Sequence, residues 1–387
     1  MENMTLIYFG NDWFAENKTS SHHIAERLAS RHKILYVECP GLRMPQGNKR
    51  DIRKIFTKIA KAFSMPRQLN ENFWVYTLFQ IPLHKYSVVR KINEKLILFA
   101  LKRVLKKLNF PVPLLWFHIP HLSMIPGKLQ SKGVVYYCID SYAALPNVDK
   151  IAVQAMDDLM TSVADIVFVS SQPLYDSKKS IAKDLVLSPH GVDFDHFHRA
   201  FLGGLPFPAE IGAIGKPVIG FWGLIENRID LDLIKFLAIN NPQWNIVMIG
   251  HIAVQENPCA GLKNVYFVGP KKYAELPGFA HFFDVAILPY KQNEFVFNCN
   301  PIKLREYLAT GKPAVSSRFP EIEKYKDVIA IADDYIDYAN KIKWYLDNDT
   351  PEMAERRIAR VLGESWDNRV QEIVGTVANK FYGRRNA

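Results

Sequence analysis

Short apolar runs recur along this chain with helix-length stretches between them, and that alternation confines it to an α/β fold on parallel sheets. Leu6–Phe9, Ile34–Val37, Leu114–Phe117, Val134–Ile139 and Ile166–Ser170 read as strands, separated by helical patterns such as His22–Ser30, Val88–Leu108 and Lys150–Ala164. A parallel pair cannot be joined by a tight turn and needs a crossover, which those helices supply. A Gly/Pro-rich stretch, Gly203–Pro217, then reads as a linker. Beyond it Val218–Trp222, Ile246–Ile249, Val265–Val268, Val285–Pro289 and Ala314–Ser316 begin a second strand series. The 387 residues therefore divide into two doubly wound parallel-sheet domains, expected over 1–200 and 201–365. Ligands of such sheets bind beyond the carboxyl ends of the strands, so two domains facing a central cleft would share one site.

Composition removes other classes. With 48% apolar and 23% charged residues the chain is neither collagen-like, coiled coil nor low-complexity. Cys39, Cys138, Cys259 and Cys299 lack the close spacing of a zinc knuckle or redox pair, and read as reduced thiols in a cytoplasmic protein. The run from Met4 to Gly10 is too short for a signal peptide, and Leu96–Leu101, followed by Lys102 and Arg103, is too short to span a bilayer. Net charge is +10, and its location matters: residues 1–200 hold 27 Lys+Arg against 17 Asp+Glu, while residues 201–387 hold 22 of each.

The most informative segment runs from Asn298 through Cys299, Asn300, Pro301, Ile302, Lys303, Leu304, Arg305 and Glu306 to Gly311-Lys312-Pro313. Asn300 reads as an N-cap and Pro301 as the first residue of a short helix that Gly311 and Pro313 stop. Free N–H groups and a partial positive charge at such a tip favour phosphate, and Lys303 in the first turn adds a point charge. Glu306 lies on the same face about 4.5 Å deeper, at ~1.5 Å per residue. A carboxylate there fits paired ribose hydroxyls, so together these residues describe a nucleoside-diphosphate site.

The run from Pro301 to Ser316 resembles the signature segment of GT-B glycosyltransferases, the group 1, family 4-like enzymes of bacterial surface polysaccharide synthesis. Pro189-His190-Gly191-Val192-Asp193, Ile219-Gly220-Phe221-Trp222-Gly223, Ile246–Gly250, Val265–Gly269 and Asp284–Pro289 fall in that group's order. The likeness is strong from Asp165 to Ser317. It implies two Rossmann-like domains, with the last helix, 366–387, crossing back onto the first. It also implies a metal-independent, hexosyltransferase-type enzyme that uses a nucleotide sugar, UDP- or GDP-linked, as substrate and holds no cofactor. By position, Glu306 would hold the ribose, Lys303 and Arg228 the diphosphate, Gly223 a close backbone approach, and Phe267-Val268-Gly269 the base. Retaining members carry a second glutamate eight residues before the first; here that place is Asn298, which leaves sugar contacts to Asn298, Asn300 and the backbone amides around Pro301 and Ile302. Tyr290, Phe295 and Phe297 flank this loop.

Transfer to a hydroxyl needs a base at the acceptor. Strand-end candidates in the first half are Asp12, His118 and Asp140, with His22 and His23 near the start of the first helix. Asp140, delivered by Tyr136–Ile139, is favoured if the enzyme inverts, and His118 resembles the family's strand-end histidine. Asp230-Leu231-Asp232 reads as the acidic first turn of a helix and not as a metal ligand.

The basic surplus lies in two segments. Arg43–Arg67 has eight bases against one acid, with an apolar stripe of Ile52, Ile55, Phe56, Ile59 and Phe63, and 49–63 thus reads as a helix in an anionic lipid interface. Lys85–Lys107 has the same balance, but its apolar content reads first as a packed helix, with 85–107 a second candidate membrane contact. A glycan or lipid-linked saccharide acceptor at the inner face of the plasma membrane would account for both. The rival readings are a nucleotide-sugar epimerase on the same fold and a non-catalytic basic protein that binds membrane or nucleic acid; no nucleic-acid motif is present.

Overall fold

The computed structural model describes residues 3–15, 18–39, 65–81, 87–206 and 208–383. The 49–63 stripe lies outside the described residues. Two compact units emerge, Met1–Pro189 with Val370–Ala387, and His190–Arg369.

In the first unit the described strands are β1 (Thr5–Gly10), β2 (Lys33–Glu38), β3 (Arg67–Asn70), β4 (Phe73–Thr77), β5 (Leu114–Phe117), β6 (Gly133–Cys138), β7 (Ile166–Val169) and β8 (Leu185–Leu187). They form one sheet in the order β3-β4-β2-β1-β5-β6-β7-β8. Every neighbouring pair is parallel except β3 with β4. Strand order reverses between β1 and β5, which is where a doubly wound sheet opens its crevice. The inner strands β1, β5, β6 and β7 are buried along their whole length, as continuous apolar runs covered on both faces should be.

In the second unit β9 (Val218–Trp222), β10 (Asn245–Ile249), β11 (Val265–Gly269), β12 (Val285–Leu288), β13 (Ala314–Ser317) and β14 (Ala330–Ala332) form an all-parallel sheet, ordered β11-β10-β9-β12-β13-β14. Here the reversal falls between β9 and β12. The helix Ile302–Ala309 follows β12 and its loop, and joins β12 to β13 as a crossover.

Four strands escape the sequence pattern. Arg67–Asn70 is a polar, exposed edge strand, and Leu185–Leu187 and Ala330–Ala332 span three residues each. Phe73–Thr77 pairs with the edge strand in a hairpin that the βαβ alternation does not anticipate. The Gly/Pro-rich stretch taken for the linker lies inside the second unit, because Val192, Phe194, Phe197 and Ala200 before it belong to that unit's apolar core. Val370–Ala387 belongs to the first unit. There a Cβ on Gly133 would lie 2.1 Å from the Phe381 ring, and Lys380 pairs with Asp184 at 2.9 Å.

Gly220, mid-strand in β9, has no room for a side chain: a Cβ there would meet the Phe283 ring at 2.0 Å. Gly220→Ala should therefore cost about 1–3 kcal/mol, read as a lower urea midpoint, and Phe283→Leu in the same chain should recover part of it.

Candidate active site

At the carboxyl edge of the second sheet, three adjacent strands end on glycines of positive φ: Gly223 (144°) after β9, Gly250 (143°) after β10 and Gly269 (72°) closing β11. Their backbones are stitched together, Gly223 N donating to Ile249 O at 2.8 Å and Gly250 N to Gly269 O at 2.9 Å. The approach is so close that a Cβ on Gly250 would sit 1.8 Å from Gly223 O. A Cβ on Gly223 would lie 2.1 Å from Lys303 Cε. The bare glycine backbone is thus what lets the Lys303 stem reach the end of β9.

Glu306 is buried, and its Oε2 accepts a hydrogen bond from the Trp222 indole Nε1 at 2.8 Å. Trp222 is the last residue of β9, and its ring is held edge-on by Tyr307, with centroids 4.3 Å apart. Burial pushes the Glu306 carboxyl up from its ordinary value, opposed by the nearby Lys303 ammonium and the indole bond. Burial lowers the Lys303 amine, while Glu306 counteracts this and Arg228 reinforces it. Arg228 forms an ion pair with Glu226 and lies over the Phe295 ring at 5.4 Å. Tyr290 is buried, stacks on Phe319, and interacts electrostatically with Arg228 and Glu306. Gly223, Arg228, Tyr290, Lys303 and Glu306 therefore converge, joined by Trp222 and Glu226, which sequence reasoning did not nominate. The aromatic residue directly before the strand-end glycine was the available signal. Phe267, Val268 and Gly269 lie in β11 at the same sheet edge, half-buried.

Asn300 departs from expectation. The helix starts at Ile302 with Pro301 in the half-in position and no side-chain cap. The Asn300 amide is committed elsewhere: Nδ2 donates to Glu321 at 2.7 Å, and Oδ1 accepts from Arg305 at 2.8 Å and from His190 N at 3.3 Å. Arg305, buried on the helix face away from Lys303, also donates to Glu364 at 2.6 Å. The Asn300 side chain thus answers buried groups behind the helix instead of capping its first turn. Asn298 donates to Glu294 O at 2.8 Å and closes the short helix Glu294–Phe297. Asp230 accepts from Leu233 N at 3.1 Å and from the Tyr335 hydroxyl, so it is a helix cap. Among the described residues no group of three His, Cys, Asp or Glu side chains is arranged to hold a metal.

In the first unit Asp12, His118 and Asp140 follow β1, β5 and β6, which are sheet neighbours. They differ in accessibility. Asp12 is exposed and Asp140 half-buried. His118 is fully buried, its Nε2 bonded to the Tyr8 hydroxyl and its ring against Tyr8 and Tyr137. A base must reach the proton it takes, and this ring faces the aromatic interior. His22 is also buried: Nδ1 accepts from Thr19 N at 3.1 Å, leaving Nε2 to donate to Asp12 O at 2.9 Å. Burial lowers its pKa. His22 therefore pins the loop that carries Asp12, and neither ring nitrogen is available to an acceptor. His23 is buried in the same helix.

Known proteins share this architecture. Residues 216–348 match the family model described as glycosyl transferases group 1. TuaH of Bacillus subtilis, named as a teichuronic acid biosynthesis glycosyltransferase, is 23% identical over 377 residues, covering 92% of this chain and 88% of that protein. Sucrose-phosphate synthase from Thermosynechococcus elongatus superposes with a TM-score of 0.70 at 14% identity, over 98% of this chain and 100% of that one. HepE of Anabaena, solved in complex with UDP and glucose, does so with a TM-score of 0.68 at 14% identity, over 97% and 100%.

The raised Glu306 pKa has a consequence for stability. A carboxyl whose folded pKa lies above its unfolded one stabilises the fold fully below the ordinary value of 4.5, and loses that contribution as pH rises through the folded value. Glu306→Gln keeps an acceptor for the Trp222 indole and removes the charge. Chemical unfolding should therefore show the variant more stable than the parent at neutral pH, with the difference vanishing below the carboxylate range.

Proposed function

We propose that the chain is a GT-B glycosyltransferase of group 1, a reading supported by the family match over 216–348 and by the likeness to TuaH, and that its second unit binds a nucleoside-diphosphate sugar and its first unit the acceptor. The observation that carries this is the buried Glu306 carboxylate, held by the Trp222 indole, with Lys303 beside it at the reversal of strand order. One carboxylate oxygen is oriented by the indole and the other is left for the ribose diol. Lys303 and Arg228 face the diphosphate, and the backbone of Phe267–Gly269 flanks the base. UDP is the favoured nucleotide, because HepE was solved with UDP and glucose. The acceptor is a hydroxyl of a glycan or lipid-linked saccharide of the cell envelope, a reading supported by the name given to TuaH. It implies a peripheral position on the inner face of the plasma membrane.

In the reaction the bond from the anomeric carbon to the diphosphate oxygen breaks, and the acceptor oxygen bonds to that carbon. The acceptor's proton passes to a base. Negative charge accumulates on the leaving phosphate, where the Lys303 and Arg228 cations are already in place and need no reorganisation. Asp140 is the base of this reading and Asp12 its alternate, since His22 is engaged and His118 is enclosed. With Asn298 where retaining relatives have a glutamate, an inverting displacement assisted by Asp140 follows.

Thermal shift with UDP, GDP, ADP and TDP tests the donor site. UDP should raise the melting temperature most, a ligand at 100 times its Kd adding about 2.7 kcal/mol. Glu306→Gln replaces a charge-assisted bond to the ribose and should weaken UDP roughly tenfold or more, and Lys303→Ala should do likewise; unchanged shifts in both would refute the site. Transfer should also survive EDTA, and activity lost to EDTA and restored by Mn²⁺ would overturn the metal-independent reading.

A further inference from the structure

The helix Ser87–Lys107 in the first unit carries two faces of opposite fate. Asn93, Ile97, Leu101 and Val104, spaced four, four and three, are buried against the unit. The Asn93 amide adds two backbone bonds to Ile81, at 2.8 and 3.0 Å. Val88, Ile92, Leu96 and Phe99 repeat the same spacing on the other side, about 140° around the helix at ~100° per residue. They are 66%, 42%, 42% and 71% exposed. Four large apolar side chains in one row on a surface helix are more than the scattered exposure normal for soluble proteins. Among the described residues no helix is long and apolar enough to cross a membrane, so this row is not part of a span.

Charge selects what covers the row. The helix holds Arg90, Lys91, Lys95, Lys102, Arg103, Lys106 and Lys107 against Glu94, and Glu94 is paired with Lys128 at 2.7 Å. By helical spacing Lys91, Lys95 and Lys102 border the apolar row on one side, and Arg103 and Lys106 continue its line towards the carboxyl end. A second copy of the chain would bring the same positive charge to the contact. The segment 40–64 of this chain is itself basic, with Arg43, Lys49, Arg50, Arg53, Lys54, Lys58 and Lys61 against Asp51. Neither complements the charge of the helix. A surface that is apolar within and anionic above does, and that is the interface of a bilayer rich in acidic lipids.

We infer that the Val88–Ile92–Leu96–Phe99 face of this helix docks the protein on anionic lipid, the apolar row entering the headgroup boundary and the basic border pairing with lipid phosphates. The inference rests on the glycosyltransferase reading only for its purpose, which is to bring the enzyme to a membrane-borne acceptor. The docking chemistry itself is independent of the donor site.

Co-sedimentation of the full chain tests it, with vesicles of phosphatidylcholine alone and of an equimolar mixture with phosphatidylglycerol. The protein should sediment with the mixed vesicles and not the neutral ones, and salt should release it. Ile92→Ser with Phe99→Ser should reduce partitioning roughly tenfold, and Lys95→Glu with Lys102→Glu should remove the preference for acidic lipid. UDP thermal shift on the same samples should stay at the parent value, since none of these residues touches the donor site. Equal sedimentation with both vesicle types, or binding unaltered in the Ser variant, would overturn the inference. So would size-exclusion showing that the Ser variant turns a dimer into a monomer, because a second copy would then cover the face. A chain that shifts with UDP but ignores vesicles would sink the docking alone; one that binds vesicles but no nucleotide would sink the enzymatic reading alone.

Discussion

The second unit is organised around one carboxylate that would prefer water. Glu306 is buried and kept in place by a single indole donor and a neighbouring ammonium, and each of these depends on something else. The indole belongs to the last residue of β9 and is locked by Tyr307, one residue past Glu306 itself. The ammonium reaches the site only because Gly223 carries no side chain at φ 144°. Strand end, glycine turn and helix start are thus one device. The apo protein carries the cost of desolvating both charges, and ribose hydroxyls and a diphosphate would supply the partners that offset it. Such a local loss of stability is what a preorganised binding group requires.

Behind this device lies a second set of buried charges with a different task. Arg305 is adjacent in sequence to Glu306 but points the other way, to Glu364 and Asn300, and Asn300 holds Glu321 and the His190 backbone. The Tyr325 hydroxyl and Arg360 complete the shell on Glu364. Buried ion pairs seldom add net stability, yet breaking one by removing a partner costs about 3–5 kcal/mol. Here the network ties the helix Ile302–Ala309 to residues 190–192 and 364–366, which run side by side through the Val192–Ser365 bridge. The helix is therefore anchored from its rear face.

The sequence made the architecture readable because burial on both faces leaves a parallel strand no option but a continuous apolar run. Leu114–Phe117 and Val218–Trp222 were readable to the residue for that reason. The strands that were not, Arg67–Asn70 and the three-residue β8 and β14, lie at or near sheet edges, where no apolar pattern is imposed. In the site, the convergence of Glu306, Lys303 and Gly223 was legible because it depends on spacing along one helix and one turn. Asn300 was misread because an Asn-Pro pair before a helix looks the same whether the amide turns onto the helix or away from it. Only the long-range partners Glu321, Arg305 and His190 decide, and no local pattern encodes them. For His118 and His22 the strand-end or helix-start position is visible in sequence, but the Tyr8 hydroxyl on one Nε2 and the Thr19 amide on the other ring's Nδ1 are not.

The uneven charge of the chain fits the division between the units. A diphosphate could be attracted by the overall field of a basic domain, but residues 201–387 hold 22 bases and 22 acids, so an anion site there would have to be local. Lys303 and Arg228, which lie close enough to interact electrostatically, would be such a local device, working at contact distance where screening by salt is weak. The surplus of bases instead sits in residues 1–200, where 27 face 17 acids, and the part of it on Ser87–Lys107 borders exposed apolar side chains. A long-range field is useful for meeting an extended, multiply charged surface and adds little to gripping one small ligand. On the proposed reading the two kinds of positive charge would serve different partners, one an activated sugar and the other a sheet of lipid.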